Sequence, residues 1–497
     1  MVTFWASQSS VFCSVPKVSH QGIFYITGST LSEAPPVVPK FPLYDGGGVR
    51  QLSPTWILTS PDVSSVHRFF DTSPFSPTGR YVGITRMGIK ENRFVKIGDT
   101  AEIVVIDLWT GKTDVCANTT AWDSQVGSHV QWGTSDRELY FNTIEQEHPR
   151  GVVLNIFTKE RRLFDCPIYQ VSPNGLYSVA PDLTMIKYTQ LGYGVFVPHT
   201  RASTNASATN GLYLTDLTTG KCRLLVSLHD IAVFAKIPPS TPMYGFHTKW
   251  SSDGEMIMFV VRTLTPASQG LLSSLLPTQP KMARINHMFV VSIAGEILAH
   301  VVSWGTACSL LPTAQYGGRV THVVGDIAVR GDGNHPNWIP GTHNISINYR
   351  QTCDYPISSG PGSVPVWKIA VFDVDAIIRS SAKGHMAITD SFAATARRAR
   401  LGGTEMVDRT GESDASSNRG VIAHPWGTGH PTFLPGGRYA IVDAYLKEQR
   451  MFGSSLDGSA GHEGMLPLRL VDLLTQKEVW LMQVMIVAVT LDVAAAL

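Results

Sequence analysis

The chain has 497 residues, with 40 Lys and Arg against 39 Asp and Glu, a net charge of +1. Hydrophobic residues make up 43 % and charged residues 16 %, which excludes a disordered chain, poor in apolar residues and high in net charge. The near-neutral balance also gives no broad basic surface, so no nucleic-acid partner is expected and any charge-based recognition must be local.

The first residues, MVTFWASQSSVFCSVPK, lack a basic start followed by a continuous apolar run, so no signal peptide is expected. The six cysteines, Cys13, Cys116, Cys166, Cys222, Cys308 and Cys353, form no CxxC pair. Sparse, scattered cysteines fit a reducing compartment. A cytoplasmic location is the expectation, with secretion as the alternative if the N-terminus is incomplete. Residues 1–65 hold strand-like GIFYITGS and TWILTS and are read as a segment that contributes to a closing unit.

From residue 66 one pattern recurs six times: an aromatic or apolar anchor, a turn of Ser, Pro, Gly or Asp, then an alternating apolar run. The copies are DTSPFSPTGRYVGITR, HVQWGTSDRELYFNT, IYQVSPNGLYSVAPD, HTKWSSDGEMIMFVVR, HPNWIPGTHNISINYR and HPTFLPGGRYAIVDAY, with anchors Phe75, Trp132, Val171, Trp250, Trp338 and Phe433. Each copy reads as two short strands and a tight turn. A second pattern follows each: EIVVIDLWTGK, GVVLNIFTKE, GLYLTDLTTGK, HMFVVSIAGE, WKIAVFDVDA and LRLVDLLTQK, again strand, turn and the start of a strand. Four strands per unit, repeated, are the signature of an all-β β-propeller. A seven-bladed ring with an incomplete or composite last blade is expected, with six blades as the alternative. The propeller is placed at residues 66–482. Segments 262–285 and 376–420 read as inserted loops. An apolar tail follows at 483–497. Gln483 and Asp492 interrupt its apolar run, so it reads as a buried strand or an atypical chain end, and no membrane partner is expected.

The repeat places side chains on one face of the ring. Three residues before the anchors stand Thr72, His129, Ile168, His247, His335 and His430, so four of six copies carry His at one position in a chain with only 16 His. His247, His335 and His430 lie on consecutive units and are read as a three-His site for a divalent metal, Mn or Zn. At the end of the second strand stand Arg86, Thr143, Asp182, Arg262, Arg350 and Tyr445. Arg86, Arg262 and Arg350, with Tyr445, are candidate substrate-binding residues, because guanidinium groups clamp carboxylate or sulfate. The loops after the second strands add His148 in unit two, and Tyr188, Tyr193, His199 and Arg201 in unit three. No carboxylate pair, GxSxG, Walker A or HExxH motif accompanies them, which disfavours glycoside hydrolysis and the commonest motif-bearing hydrolases. His, Tyr, Arg and a metal suit proton abstraction beside a carboxylate, and hence β-elimination of a uronic-acid glycan.

HRFFDTSPFSPTGRY, GSHVQWG, GYGVFVP and GLYLTDLTTGKCRLLVSL resemble the β-propeller polysaccharide lyases of the ulvan lyase type. The HPNW and GHPTF elements are similar to the related oligogalacturonide lyases, whose channel His residues hold manganese. The resemblance covers about residues 66–475. It implies a catalytic set of His129, His148, Tyr188 and Arg201, with Tyr193 competing with Tyr188, and an anionic oligosaccharide or polysaccharide as substrate. A non-catalytic interaction platform and a metal-dependent hydrolase or isomerase are the competing readings, because fold alone does not fix function.

Overall fold

The computed structural model describes residues 41–42, 56–60, 63–89, 94–188, 190, 192–198, 205–266, 282–305, 322–324, 327–329, 332–350, 368–381, 420–421, 429–443, 465–474 and 477–485. The protein is an all-β propeller. Its described residues form six four-stranded sheets, each antiparallel and each in plain chain order, which is the six-bladed alternative. Blade 1 is Ser65–Val66, Tyr81–Met87, Ala101–Asp107 and Thr113–Thr119; blade 2 is Gln131–Trp132, Glu138–Glu145, His148–Asn155 and Arg161–Leu163. Blade 3 is Gln170–Val171, Tyr177–Pro181, Gly211–Asp216 and Cys222–Ser227; blade 4 is Met243–Trp250, Met256–Pro266, Met282–Ser292 and Ile297–Gly305. Blade 5 is Asp332–Trp338, Asn344–Arg350, Lys368–Asp373 and Gly420–Val421; blade 6 is Thr432–Phe433, Tyr439–Val442, Met465–Asp472 and Lys477–Met485. Among the described residues no helix is long and apolar enough to cross a membrane.

The recurring letters of the repeat have local causes. The turn serines close the first hairpin of their blades: Ser76, Ser172 and Ser251 accept from the amides of Tyr81, Tyr177 and Met256 at 3.0–3.1 Å. Tryptophan serves as anchor because its indole N–H reaches the blade before it. Trp132 donates to the carbonyl of Pro74 at 2.8 Å, Trp250 to that of Gln170 at 3.2 Å and Trp338 to that of Lys249 at 3.0 Å. The residue before the anchor reaches forward instead. Gln131 accepts from the Val171 amide at 2.8 Å and Gln170 from the Trp250 amide at 2.7 Å. Neighbouring inner strands are thus stitched by buried and half-buried hydrogen bonds, while apolar faces pack between blades, as where Ile103, Val105, Leu139, Phe141 and Leu154 join blades 1 and 2.

Several expectations changed in detail. The segment read as a loop at 262–285 begins and ends as strand, because Met256–Pro266 and Met282–Ser292 pair all the way from Met256↔Ser292 to Pro266↔Met282. The stretch after Asp373 is helical over Val374–Ser381 rather than a strand turn. Asp373 accepts from the Ala376 amide at 2.9 Å and caps that helix. Two cysteines expected to be free, Cys166 and Cys222, form a disulfide with Cα atoms 5.8 Å apart. Much of the N-terminal segment from which a seventh blade would be built, and residues 486–497 of the tail, lie outside the described residues. Two described pieces of the N-terminal segment, at Phe41 and Leu58, pack on Val82, Ile84, Val104 and Ile106 of blade 1.

Candidate functional site

The inner strands carry their repeated His at breaks in the ladder. In blade 4 the register shifts between Gly245 and Thr248, around His247. In blade 5 it shifts between Asn334 and Asn337, around His335. His335 and His129 both have left-handed backbones, φ 51° and 56°. Non-glycine residues in that region are strained and cluster at functional sites. A bulge re-aims a side chain, and here the His247 and His335 rings both come to lie beside Phe69.

The His rings gather around the HRFFD segment, residues 67–71, which follows the first strand of blade 1. The Phe69 ring lies 6.0 Å from His247, 6.4 Å from His335 and 5.6 Å from His430, centroid to centroid. His335 and His430 are 4.0 Å apart. Tyr169 of blade 3 bridges to the other side, 4.9 Å from His129 and 6.0 Å from His247, and its hydroxyl hydrogen-bonds His247 Nδ1. All four expected His residues therefore belong to one cluster. Burial holds His129 down at about 3 and His67 at about 4, and pulls His247 and His335 well below the usual histidine range. Each of these rings is neutral at ordinary pH.

A buried ion triad sits beside them. Asp71 meets Lys249 at 2.7 Å and Arg68 at 3.0 Å, with Asp71 and Lys249 almost wholly buried. Burial alone would raise the Asp71 carboxyl; Lys249 and Arg68 override it and hold Asp71 ionised. Burial and Arg68 pull Lys249 downward while Asp71 pushes it up, and the short contact keeps both charged. Lys249 also donates to the Pro336 carbonyl at 2.7 Å and lies 4.4 Å from the Phe70 ring. A cavity of about 680 Å³ runs past Phe70, Asp71, Lys249 and His430, and follows the seam between Ile441 of blade 6 and Val66 of blade 1.

Tyr193 enters from the blade 3 loop. Gly192 and Gly194, at φ +84° and +93°, allow the backbone to turn on either side of it. The Asp123 carboxylate fixes that loop by accepting from the Gly194, Val126 and Gln125 amides at 2.8, 2.8 and 2.9 Å. Burial pushes Asp123 up to about 7 against the pull of those amides. The Tyr193 ring stands 5.9 Å from His247 and 5.4 Å from Phe246. Arg262 crosses the Phe246 ring at 3.3 Å.

The remaining expected residues divide. Arg86 is ion-paired with Glu102, so its charge is already answered within blade 1. His148 is exposed and follows the two-residue turn of Gln146 and Glu147, both with positive φ. Tyr188 ends the 3-10 turn Ile186–Tyr188, and its side chain lies outside the described residues. So does that of Arg350, whose backbone pairs with Asp332. Arg201 and Tyr445 lie wholly outside them. Arg68, Asp71, Tyr169 and Lys249 were not expected at the site. Their only sequence signal is position, in the segment before the first anchor or one or two residues before an anchor.

The donor chemistry at His335 and His430 suits a divalent ion. His335 Nδ1 donates to the Gly429 carbonyl at 2.8 Å, and His430 Nδ1 faces the Asp443 carboxylate at 2.9 Å. That arrangement places the lone pair on Nε2, as in metal-binding histidines oriented by an outer partner. Among the described residues no group of three or more His, Cys, Asp or Glu is arranged to hold an ion, and Phe69 has all three expected ligands around its ring.

No protein-family model and no curated protein matches the chain. Among solved structures it is similar to an oligogalacturonate lyase in complex with manganese, at 11 % identity and TM-score 0.46, over 88 % of this chain and 83 % of that one. It is also similar to oligogalacturonate lyase from Vibrio parahaemolyticus, at 10 % identity and TM-score 0.47, over 89 % and 84 %. TolB from Acinetobacter baumannii matches at 9 % identity and TM-score 0.30, over 86 % and 56 %.

Proposed function

We propose that the protein is a lyase that cleaves uronic-acid-containing oligosaccharides or polysaccharides by β-elimination. The observation that carries this reading is the gathering of His129, His247, His335 and His430 with Tyr169, Tyr193 and Arg262 in one cluster. In a uronate the C5 proton is weakly acidic, and a cation against the carboxylate stabilises the enolate-like charge that forms when it leaves. Arg262 supplies that cation. The His247–Tyr169 couple takes the C5 proton, the C4–O4 bond breaks as a C4–C5 double bond forms, and Tyr193 returns a proton to the departing oxygen. His129, neutral and beside Tyr169, holds that couple in place. By the resemblance, His148, Tyr188 and Arg201, on the connections after the second strands of blades 2 and 3, are further candidates for the catalytic set. The divalent ion, Mn or Zn, expected at His247, His335 and His430 takes no part in these steps, because the Phe69 ring stands among those three rings.

The test is incubation with polygalacturonate, ulvan, glucuronan and short uronides, with and without Mn²⁺, following the ultraviolet absorbance of the unsaturated product. Rising absorbance on one of these glycans is expected. A folded protein that gives none on any of them, with or without the ion, overturns the reading. A second reading, a non-catalytic interaction platform, is favoured by Phe69, whose ring occupies the space among three of the His residues.

A further inference from the structure

The extended hairpin of blade 4 brings two arginines together. Arg262 pairs across the ladder with Asn286, and Leu264 pairs with Arg284. Arg262 and Arg284 are therefore diagonal neighbours on one face of the sheet. The Arg262 guanidinium is fixed on three sides by groups without charge. Its Nε donates to Asn286 Oδ1 at 2.7 Å, its Nη1 donates to Gln190 Oε1 at 2.7 Å, and its plane lies over Phe246.

Blade 1 shows what the same place looks like when the charge is answered internally. Arg86, at the corresponding end of the second strand, pairs across the ladder with Glu102 and forms an ion pair with it. In blade 4 the cross-strand partner is Asn286, so the carboxylate is replaced by a neutral amide. Among the described residues no carboxylate hydrogen-bonds or ion-pairs with Arg262. Arg284 adds a second positive charge rather than a counter-charge, and the two repel. Two cations held close, one of them oriented only by neutral groups, are stabilised when an anion joins them. Tyr193 and His247 stand on the Phe246 side of this pair.

We infer that Arg262 and Arg284 form a two-guanidinium seat for an oxyanion, a carboxylate or a sulfate carried by the ligand, with Arg284 as its second arm. This rests on the proposed lyase reading only in taking the ligand to be a uronate sugar. Oxyanion binding is measured without turnover. The seat makes the protein select sugars that carry an anionic group over neutral ones, and it assigns that selection to blade 4.

Calorimetric titration of the full chain with galacturonate, sodium sulfate and galactose tests it, in wild type, Arg284→Gln and Asn286→Glu. Asn286→Glu keeps both arginines and supplies the internal carboxylate that blade 1 has. Wild type is expected to bind galacturonate or sulfate and not galactose, and whichever anion binds identifies the class. Both variants are expected to lose about tenfold or more of that affinity while unfolding thermally as wild type does. Equal anion affinity in wild type and in a folded Asn286→Glu variant overturns the seat, as does wild-type binding of galactose as tight as that of galacturonate. Where one variant fails to fold, the other decides. Anion binding lost in the variants of a protein without lyase activity leaves the seat standing and removes the lyase reading. Turnover with unchanged binding in the variants does the reverse.

Discussion

Tyr169 is the residue on which the chemistry and the packing separate most cleanly. Its hydroxyl meets His247 Nδ1, its ring lies tilted beside His129, and the Arg68 guanidinium lies 4.9 Å from its centre. If the hydroxyl only satisfies a buried ring, removing it costs about 1 kcal/mol of stability and little else. If it moves a proton, Tyr169→Phe lowers kcat by roughly 10²–10⁴-fold while the melting temperature moves only slightly. The larger loss, in kcat rather than KM, is the expected result. Comparing initial rates with thermal unfolding of the same preparation checks it, and an unchanged kcat would return Tyr169 to a structural role. At this scale the sequence showed the four His residues because one column repeats. It hid Lys249, Asp71 and Arg68, because no repeat column announces an ion triad assembled from blade 4 and the connection between the first two strands of blade 1. Thr72 stood in the aligned column for blade 1, yet Asp71, next to it, meets Lys249.

At the scale of elements, the hairpins were readable because turn chemistry is local. Serine closing a turn, glycine beyond it and alternating apolar strands need no distant partner. The hairpin arms around residues 262–285 were not readable, because RTLTPASQG carries turn-like letters and the strand is fixed by pairing with Met282–Ser292. One turn also carries a pH-dependent latch. His343, in the first turn of blade 5, donates through Nε2 to Asp253 of the blade 4 turn at 2.6 Å and through Nδ1 to Asp375 of the helix Val374–Ser381 at 3.0 Å. Burial would lower the His343 pKa, but Asp253 and Asp375 raise it above the ordinary 6.5. Burial would raise Asp253, but Ser251, His343 and the Glu255 amide bring it down to about 2. A raised histidine stabilises the fold fully below 6.5 and loses that contribution as pH climbs through the folded value. A depressed aspartate stabilises above 3.8 and loses its contribution as pH falls toward 2. The latch is therefore strongest between the ordinary aspartate and histidine values. His343→Gln is expected to lower the melting temperature more at about pH 5 than at about pH 8.5. Equal lowering at both would show that the imidazole is not charged in the folded protein.

The whole ring depends on how neighbouring blades are tied, and the ties differ in kind. Blades 6 and 1 meet near the axis through the Thr432 hydroxyl and the Phe70 carbonyl at 2.9 Å, residues 362 apart in sequence. Blades 2 and 3 are held at their outer edges, where Arg162 donates to the Thr218 carbonyl at 2.8 Å and the Asp165 amide to the Gly220 carbonyl at 3.0 Å. The Cys166–Cys222 bond lies at this same edge and closes a loop with a sequence separation of 56. It joins two blades, so it restricts the unfolded chain over all of blade 3 and is worth about 4 kcal/mol by loop-closure entropy. Scattered cysteines supported a cytoplasmic location; this bond removes that support, because such bonds persist in oxidising compartments. Protein isolated without reductant is expected to give a linked Cys166–Cys222 peptide pair, while Cys116 carries the free thiol among the described cysteines. Reduction, or Cys166→Ser, is expected to lower the melting temperature markedly without changing the β content seen by circular dichroism. If both cysteines alkylate fully in unreduced native protein, blades 2 and 3 are held by hydrogen bonds and apolar packing without a cross-link. If the bond forms and its loss leaves the melting temperature unchanged, the edge bonds of Arg162 and Asp165 already fix blade 3 to blade 2, and the cross-link adds nothing that they lack.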